Sequence, residues 1–463
     1  MKAVLARWLG FAPSTGDSTR DILRYWFPEL VSNAILIVLP GLIGSWVTSQ
    51  LGSVAMYGAL GMSNSFLFML TKMSEAIPVA AIAIIGRHNG AQEYEKCGEE
   101  LGNTFWTTFI IGLFQFLLIF SGAALIFSWL GVPDDMIRVG VPFLQQKSFG
   151  YLLLFTSIGF IGFLRAIKNT KVPMIVTLVG IGLFTLFDYA LVLGKFGFSG
   201  CGLYGDALAT TIQYGAMNIM LLAYILLNPD YKKYFKRMFF SVFNVKQMLH
   251  LLHLSTPILI DKCTLAFAAV WLSKMITVLG PKAIATFVVV RDLEKFAMLP
   301  TMASATVLTF LVSNRLGARD FNGVTVSIRK MMLLTSLTVM PLLLLLSFKA
   351  HFFVQFFDPK NQFVDFTILV LPVISLLAIF DFTQIIFAAA LRGAGDGGTV
   401  MIYRAIAVFL FMIPVTYWLS HLPMENIALK FIMIYGSFYV TTGLMSISYW
   451  FYMRSDKWKH RDV

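Results

Sequence analysis

Twelve long apolar segments dominate this sequence and restrict its fold more than any other feature. Each is about 20 residues or longer, the length at which an α-helix crosses the hydrocarbon core of a bilayer. A membrane β-barrel would instead alternate apolar and polar residues in short segments. We therefore predict an all-α membrane protein with twelve transmembrane helices. The predicted spans are 25–49, 55–86, 101–128, 137–164, 172–194, 203–227, 248–279, 283–313, 331–350, 361–390, 400–420 and 426–452.

The net charge of +12 is interpreted as an orientation signal. With twelve spans both termini lie on one side of the membrane, and most of the 36 Lys and Arg residues fall in the loops and tails of that side. Cytoplasmic loops of membrane proteins carry such an excess. We therefore expect a multi-pass protein of a cell inner membrane with both termini in the cytoplasm. We expect the protein to be embedded in the lipid bilayer, and we expect no nucleic-acid partner.

The sequence repeats itself after 227 residues. LRAIKNTK at 164–171 aligns with LRGAGDGG at 391–398, and GAQEY at 90–94 aligns with GARDF at 317–321. Each half holds six predicted spans, an even number, so both halves enter the membrane in the same orientation. This pattern predicts two six-helix bundles related by a pseudo-two-fold axis along the membrane normal.

The repeat also predicts the domain organisation. An N-terminal lobe covers 25–227 and a C-terminal lobe covers 248–453. A basic cytoplasmic linker, 228–247, is long enough to let the lobes rock, and short cytoplasmic segments at 1–24 and 454–463 complete the chain. Two facing bundles are typical of an alternating-access transporter. A duplicated scaffold around a static pore and a membrane enzyme are the alternatives.

The repeated loops are interpreted as structural. Gly90, Gly317 and Gly393 lie where predicted helices end, and glycine adopts a positive φ there without steric cost. Arg165 and Arg392 can contact the last carbonyls of the fourth and tenth spans, or lipid phosphates. GAGDGG lacks the GK[ST] ending of a phosphate-binding loop.

Three acids inside predicted spans are candidate cation-coupling residues. Asp381 and Asp188 have no basic neighbour on their own helices, and Asp261 lies at a depth comparable to that of Asp381. A charged side chain at mid-bilayer costs roughly 2.5–3.5 kcal/mol on insertion scales and is usually functional. Two carboxylates close together cannot both ionise cheaply, so Asp381 and Asp261 are expected to share a proton or a bare cation.

Three further polar residues are candidates for the substrate cavity. Gln384 follows Asp381 by three residues on the same helix face and could bind substrate or the carboxylate. Asp292 and Glu294 in span eight either line the cavity or pair with the basic residues three positions away.

Three other charged sites are interpreted as structural. Lys72 and Glu75 are expected to neutralise each other. Glu29 is expected to reach water, and Asp206 to be stabilised by a helix N-terminus.

No residue cluster suggests an enzyme or a metal site. The three cysteines are far apart, and the six histidines show no paired spacing. We therefore expect no catalytic activity, no metal and no cofactor, with H⁺ or Na⁺ as the coupling ion.

These segments resemble the multidrug and toxic compound extrusion (MATE) family, within a superfamily that includes lipid-linked oligosaccharide flippases. The resemblance covers the whole chain. It implies a monomeric secondary transporter that exports cationic or amphipathic organic compounds in exchange for H⁺ or Na⁺, without ATP. The motifs that carry it are FLRAIKNTKVPMI at 163–175, DYALVLGKFGFSGCGLYGDALATTI at 188–212, DFTQ at 381–384 and FAAALRGAGDGGTVM at 387–401.

The family pattern is not complete. Asp381 and Asp188 stand where different members carry an acid in spans ten and five. Many members have an Asp in span one where this chain has Gly44, and an Asn where it has Phe184. Asp261 lies about one turn nearer the cytoplasm than the span-seven Glu of other members. The alternatives are a lipid or lipid-linked oligosaccharide flippase and an exporter of one specialised metabolite.

Overall fold

The structure, a computed structural model, is entirely helical in the regular elements that it describes. The chain divides into two compact units. One is Arg24–Ser255, here called the N-terminal lobe; the other is Thr256–Val463 with the residues before Arg24, here called the C-terminal lobe. The structure describes residues 17–129, 131, 133–235, 239–358 and 362–460. The predicted terminal segments, 1–24 and 454–463, therefore lie partly outside the described residues.

Six unbroken helices form most of the N-terminal lobe, one for each predicted span. A bilayer contains no water to satisfy backbone polar groups, so continuous helices bond their own N–H and C=O groups. The helices are α1 Thr19–Ser49, α2 Val54–Gly90, α3 Tyr94–Trp129, α4 Asp134–Ala166, α5 Lys171–Leu193 and α6 Leu203–Leu227.

The second half of the chain is more interrupted. Spans eight, ten and eleven are each divided into two helices, and a π-helical turn, Ala407–Met412, lies within span eleven. The helices are α7 Val245–Thr277, α8 Pro281–Ala297, α9 Leu299–Gly317, α10 Phe321–Phe348, α11 Ala350–Phe357, α12 Val364–Leu377, α13 Ile379–Gly393, α14 Gly397–Ile406, α15 Ile413–His421 and α16 Ile427–Arg454.

The break between α8 and α9 has an evident cause. The two helices are bent by 47°, and Pro300 lies at the start of α9, where its missing N–H is tolerated but the preceding helix cannot continue regularly. Pro372 lies within α12, six residues before the break at Ala378.

Each of the twelve predicted spans coincides with a helix or a pair of broken helices. Nine helical segments among the described residues are long and apolar enough to cross a membrane, and the bent α8–α9 pair makes a tenth. The remaining two predicted spans are α2 and α7, with 37 and 33 residues. α7 includes the charged residues Asp261, Lys262 and Lys274.

The internal repeat is visible in the backbone of the loops. Four of the residues with positive φ fall into two pairs at the repeat distance. The positive φ values are 63° at Gln92 and 56° at Arg319, then 63° at Lys168 and 81° at Gly395. The positive φ was predicted at Gly90, Gly317 and Gly393. These glycines are the last residues of their helices, and the residue with positive φ follows each of them two positions later.

The first pair of loops also shares its polar contacts. The Glu93 amide donates to the His88 carbonyl at 2.8 Å, and the Asp320 amide donates to the Arg315 carbonyl at 2.9 Å. The Glu93 carboxylate accepts from Lys96 and His88, and these hydrogen bonds hold the pKa of Glu93 below its usual value. In the equivalent place Arg315 Nη1 donates to Asp320 at 2.9 Å.

The segment after α6 packs on α3 of the same lobe. Gly98 and Gly102 of α3 provide the room, because a Cβ there would lie 1.9 Å from the Tyr234 carbonyl oxygen and 2.5 Å from that of Phe239. The Trp106 indole donates to the Phe240 carbonyl at 3.1 Å. Much of the predicted linker is thus fixed to α3.

A glycine also permits the close packing that positions α13. A Cβ at Gly393 would lie 2.4 Å from the Thr309 carbonyl oxygen, and the Thr309 hydroxyl donates to the Ala389 carbonyl at 3.3 Å. α13 therefore lies directly against α9, in the lobe that holds most of the candidate coupling residues.

Candidate functional site

Asp381 lies in the first turn of α13, immediately after the break with α12. Its amide donates to the Ala378 carbonyl at 3.1 Å, and a carboxylate in this position is favoured by the helix dipole. The side chain is half-buried. Asp381 belongs to none of the ion pairs that the described residues form in this lobe.

Gln384 links Asp381 to a buried arginine. Its side chain lies close enough to Asp381 to interact with the carboxylate, and its amide oxygen accepts from Arg404 Nη2 at 3.3 Å. Both Gln384 and Arg404 are buried. The Arg404 charge also attracts Asp381 directly, and such attraction is strong where water is excluded.

Two arginines hold Asp261, which was predicted to share an ion with Asp381. Arg404 Nε donates to one carboxylate oxygen of Asp261 and Arg392 Nη2 donates to the other. The Asp261 side chain is almost fully buried. Because both oxygens carry a cationic partner, Asp261 does not meet Asp381 as a second unpaired acid; Arg404 interacts with both.

The N-terminal lobe contains the corresponding pair. Arg165 Nε and Nη2 donate to the two oxygens of Glu29 at 2.8 and 2.7 Å, and Glu29 is fully buried. Arg165 and Arg392 are 227 residues apart, so each lobe joins its fourth span to its first through an arginine and an acid. The sequence predicted that Arg165 and Arg392 contact helix carbonyls or lipid phosphates and that Glu29 reaches water. The ion pairs correct both predictions. We interpret Asp261–Arg392 as the counterpart of a structural ion pair.

Glu294 supplies the second acid near Asp381. It is buried on α8, and its Oε2 accepts from the Tyr435 hydroxyl at 2.5 Å. Tyr439 also lies near the Glu294 carboxylate. Oε1 is buried and has no hydrogen-bond partner among the described residues. The charges of Glu294 and Asp381 repel each other, so a proton or a small cation between them would relieve that repulsion.

The other acid of span eight has a different environment. Asp292 pairs with Lys295 at 2.8 Å, and the two side chains are 38% and 58% exposed. The pairing considered for Arg291 and Glu294 is not among the ion pairs of the described chain. The predicted Lys72–Glu75 pair involves a lysine side chain outside the described part.

A second polar cluster lies in the N-terminal lobe. Lys147 of α4 pairs with Asp206 of α6 at 2.6 Å, with both side chains buried. Asp188 of α5 is fully buried, and neither of its carboxylate oxygens has a hydrogen-bond partner among the described residues. Asp188 interacts electrostatically with both Asp206 and Lys147. A Cβ at Gly44 would lie 2.8 Å from Asp206 Oδ2, so the Asp206 carboxylate fills the space beside α1.

Comparison with protein-family models now identifies the chain. The MatE model matches twice, over residues 30–190 and 257–418. The chain belongs to the MATE family. The two matches start 227 residues apart, which is the offset of the internal repeat. MATE proteins are membrane transporters rather than enzymes, as the sequence predicted.

Named MATE relatives are distant in sequence but similar in length. The "Probable multidrug resistance protein YoeA" of Bacillus subtilis is 23% identical over 405 residues, covering 87% of each chain. The multidrug resistance protein NorM of Photobacterium profundum is 23% identical over 422 residues, covering 87% of this chain and 88% of its own.

Solved MATE structures have the same fold. A MATE transporter in its bent conformation superposes with a TM-score of 0.86 at 16% identity, covering 98% of each chain. A mutant of the Vibrio cholerae MATE transporter VcmN gives a TM-score of 0.85 at 16% identity, covering 96% of this chain and 98% of its own. The predicted all-α transporter fold is therefore confirmed.

Several residues of the two polar clusters, around Asp381 and around Asp188, were not predicted from the sequence. Arg404 and Lys147 are isolated cations inside apolar spans, a signal that could have found them. Tyr435 and Tyr439 had no such signal among many aromatic residues. Their importance depends on which face of α16 meets Glu294.

Replacing Lys147 tests the N-terminal cluster. In Lys147→Met the buried Asp206 carboxylate loses its partner and remains close to Asp188, so we expect a loss of about 3 kcal/mol of stability. Thermal unfolding of the detergent-purified MATE protein measures this. Lys147→Met combined with Asp206→Leu should recover most of the loss, and Lys295→Met at an exposed pair should change little. Equal effects of the two single lysine variants would contradict this interpretation.

Proposed function

We propose that this MATE transporter exports cationic or amphipathic organic compounds in exchange for H⁺ or Na⁺ by alternating access, with Asp381 as the coupling residue. One observation carries the proposal. Asp381 lies outside the ion pairs of its lobe and within electrostatic range of Glu294, whose Oε1 has no partner among the described residues. The multidrug resistance named for the relatives supports this class of substrate.

The exchange of substrate for H⁺ or Na⁺ follows from the charge of Asp381 and Glu294. When both Asp381 and Glu294 are ionised, they attract a cationic compound. When a proton or Na⁺ is bound between them, that attraction is weaker, so substrate and coupling ion exclude each other. Linkage requires the effect to be reciprocal, and substrate binding must therefore promote release of the ion.

The neighbouring residues determine where the ion binds. Gln384 orients the Asp381 carboxylate, and Tyr435 occupies Oε2 of Glu294, leaving Oε1 for the ion or substrate. Asp261 holds Arg392 and Arg404 in position. In this proposal Asp188 is a second ion-binding residue, because it is fully buried without a hydrogen-bond partner in the described part of the chain.

The cellular setting completes the proposal. The transporter acts as a monomer in a cell inner membrane with both termini in the cytoplasm. The distribution of Lys and Arg along the sequence supports this orientation.

Transport by purified protein tests the proposal. The protein is reconstituted in vesicles loaded with a fluorescent organic cation, and H⁺ and Na⁺ gradients are imposed separately. We expect dye movement to be driven by one of the gradients, and movement of that ion in the opposite direction. Equal dye movement with and without either gradient would refute the antiport.

A further inference from the structure

Two cationic side chains on the C-terminal lobe line one cavity of about 410 Å³. Lys274 comes from the end of α7 and Arg291 from the middle of α8. The cavity is open at the protein surface. The other lining residues are Ala269, Val270, Ser273 and Thr277, so the lining combines two positive charges with hydroxyl and apolar groups.

Neither cation is neutralised by a carboxylate in the described part of the chain. Each is placed against an aromatic ring. Lys274 Nζ lies 5.7 Å from the Trp271 ring centre, and the Arg291 guanidinium lies 5.4 Å from that of Phe287. Such contacts orient a cation without cancelling its charge.

Arg291 also has an unused donor. Its Nε is buried and has no hydrogen-bond acceptor among the described residues. The nearest acid along the helix is Glu294, three residues on, but that carboxylate bonds to Tyr435. A guanidinium with a free donor is suited to a carboxylate or a phosphate, which match its planar geometry.

The cavity and the acid pair each include a residue of α8. Arg291 and Glu294 are one turn apart, and α8 carries an uncompensated cation followed by an acid with a free oxygen. A molecule with an anionic and a cationic group a few ångströms apart could contact both. A simple organic cation would use only the acid.

We propose that the Lys274–Arg291 cavity binds the anionic group of the substrate, so that this transporter prefers zwitterionic amphipathic compounds over simple cations. This inference rests on the proposed function and specifies its substrate class. Lys274 attracts the anionic group from the end of α7, and Arg291 bonds to it. Glu294 and Asp381 receive the amine.

A matched pair of dyes tests this preference. Rhodamine 110 carries a carboxylate, and rhodamine 123 is its methyl ester with the same cationic ring system. Binding is measured by fluorescence polarisation on protein in phosphatidylcholine nanodiscs. We expect rhodamine 110 to bind about tenfold more tightly, the effect of one charged hydrogen bond.

Two substitutions should remove the preference. Arg291→Gln and Lys274→Gln should each bring the two dyes to similar affinity by weakening rhodamine 110 binding, without weakening that of rhodamine 123. Lys274 is exposed, so its replacement does not threaten folding. Lys295→Gln, at an exposed lysine on the same helix paired with Asp292, is the control and should keep the preference.

Three outcomes would overturn the inference. They are equal dye affinities in the wild type, a preference that survives both substitutions, and a preference abolished by adding phosphatidylglycerol to the nanodiscs. The last would assign the cavity to a lipid phosphate. If rhodamine 123 is still exported by an ion gradient, the proposed function stands while this inference fails. If neither dye is exported, the proposed function fails, and the binding preference can still be measured.

Discussion

Asp381→Asn is expected to abolish gradient-driven export while leaving the protein folded. Asparagine has nearly the same size and remains polar beside Gln384, but it takes up neither a proton nor a cation. Ion–substrate coupling between sites in proteins is typically worth 5- to 150-fold, so we expect a loss of roughly 100-fold. The initial rate of dye export from reconstituted vesicles measures it.

The matched control is Asp365→Asn, an exposed acid in the first turn of α12 of the same lobe. It removes one carboxylate with the same chemistry, and its export rate should stay close to wild type. Dye export by Asp381→Asn at the control rate would remove Asp381 from the mechanism.

Asp261→Asn is expected to give the largest loss of stability. The Asp261 carboxylate is the ion-pair partner of both Arg392 and Arg404, and Arg404 is almost fully buried. Removing one partner of a buried ion pair costs roughly 3–5 kcal/mol because it leaves an uncompensated charge. With two arginines affected, we expect a value near the upper limit, seen as a lower Tm of the detergent-purified protein.

Asp292→Asn is the control for that measurement. Its ion pair with Lys295 is exposed, and exposed pairs contribute about 0–1 kcal/mol. We therefore expect a Tm close to that of the wild type. If Asp261→Asn were equally stable yet defective in ion exchange, the coupling role would move from Asp381 to Asp261.

Helix formation and duplication could be predicted from the sequence because both depend on local or periodic information. Apolar segments of membrane length predict helices whatever their neighbours are. The repeat was visible at 90–94 and 317–321, and the family model matches the two halves at the same offset. The break between α12 and α13 was not predicted, because Ala378 has no intrinsic tendency to end a helix.

The ion pairs could not be predicted because they join distant segments. Asp261 and Arg404 are 143 residues apart, and Glu29 and Arg165 are 136 apart. Spacing along one helix shows which side chains share a face, but not which helices are neighbours. For that reason Asp261 was expected to share a proton or cation with Asp381, and its two arginine partners were not predicted. Glu294 was found, but its tyrosine partners on α16 were not.

Ion release on substrate binding tests the central claim most directly. Purified protein in weakly buffered detergent is mixed with a saturating organic cation, and H⁺ release and Na⁺ displacement are recorded. We predict that the wild type and Asp365→Asn release one of these ions, and that Asp381→Asn binds the cation without releasing it. Equal release from Asp381→Asn and the wild type, or no release from the wild type, would contradict ion exchange at Asp381.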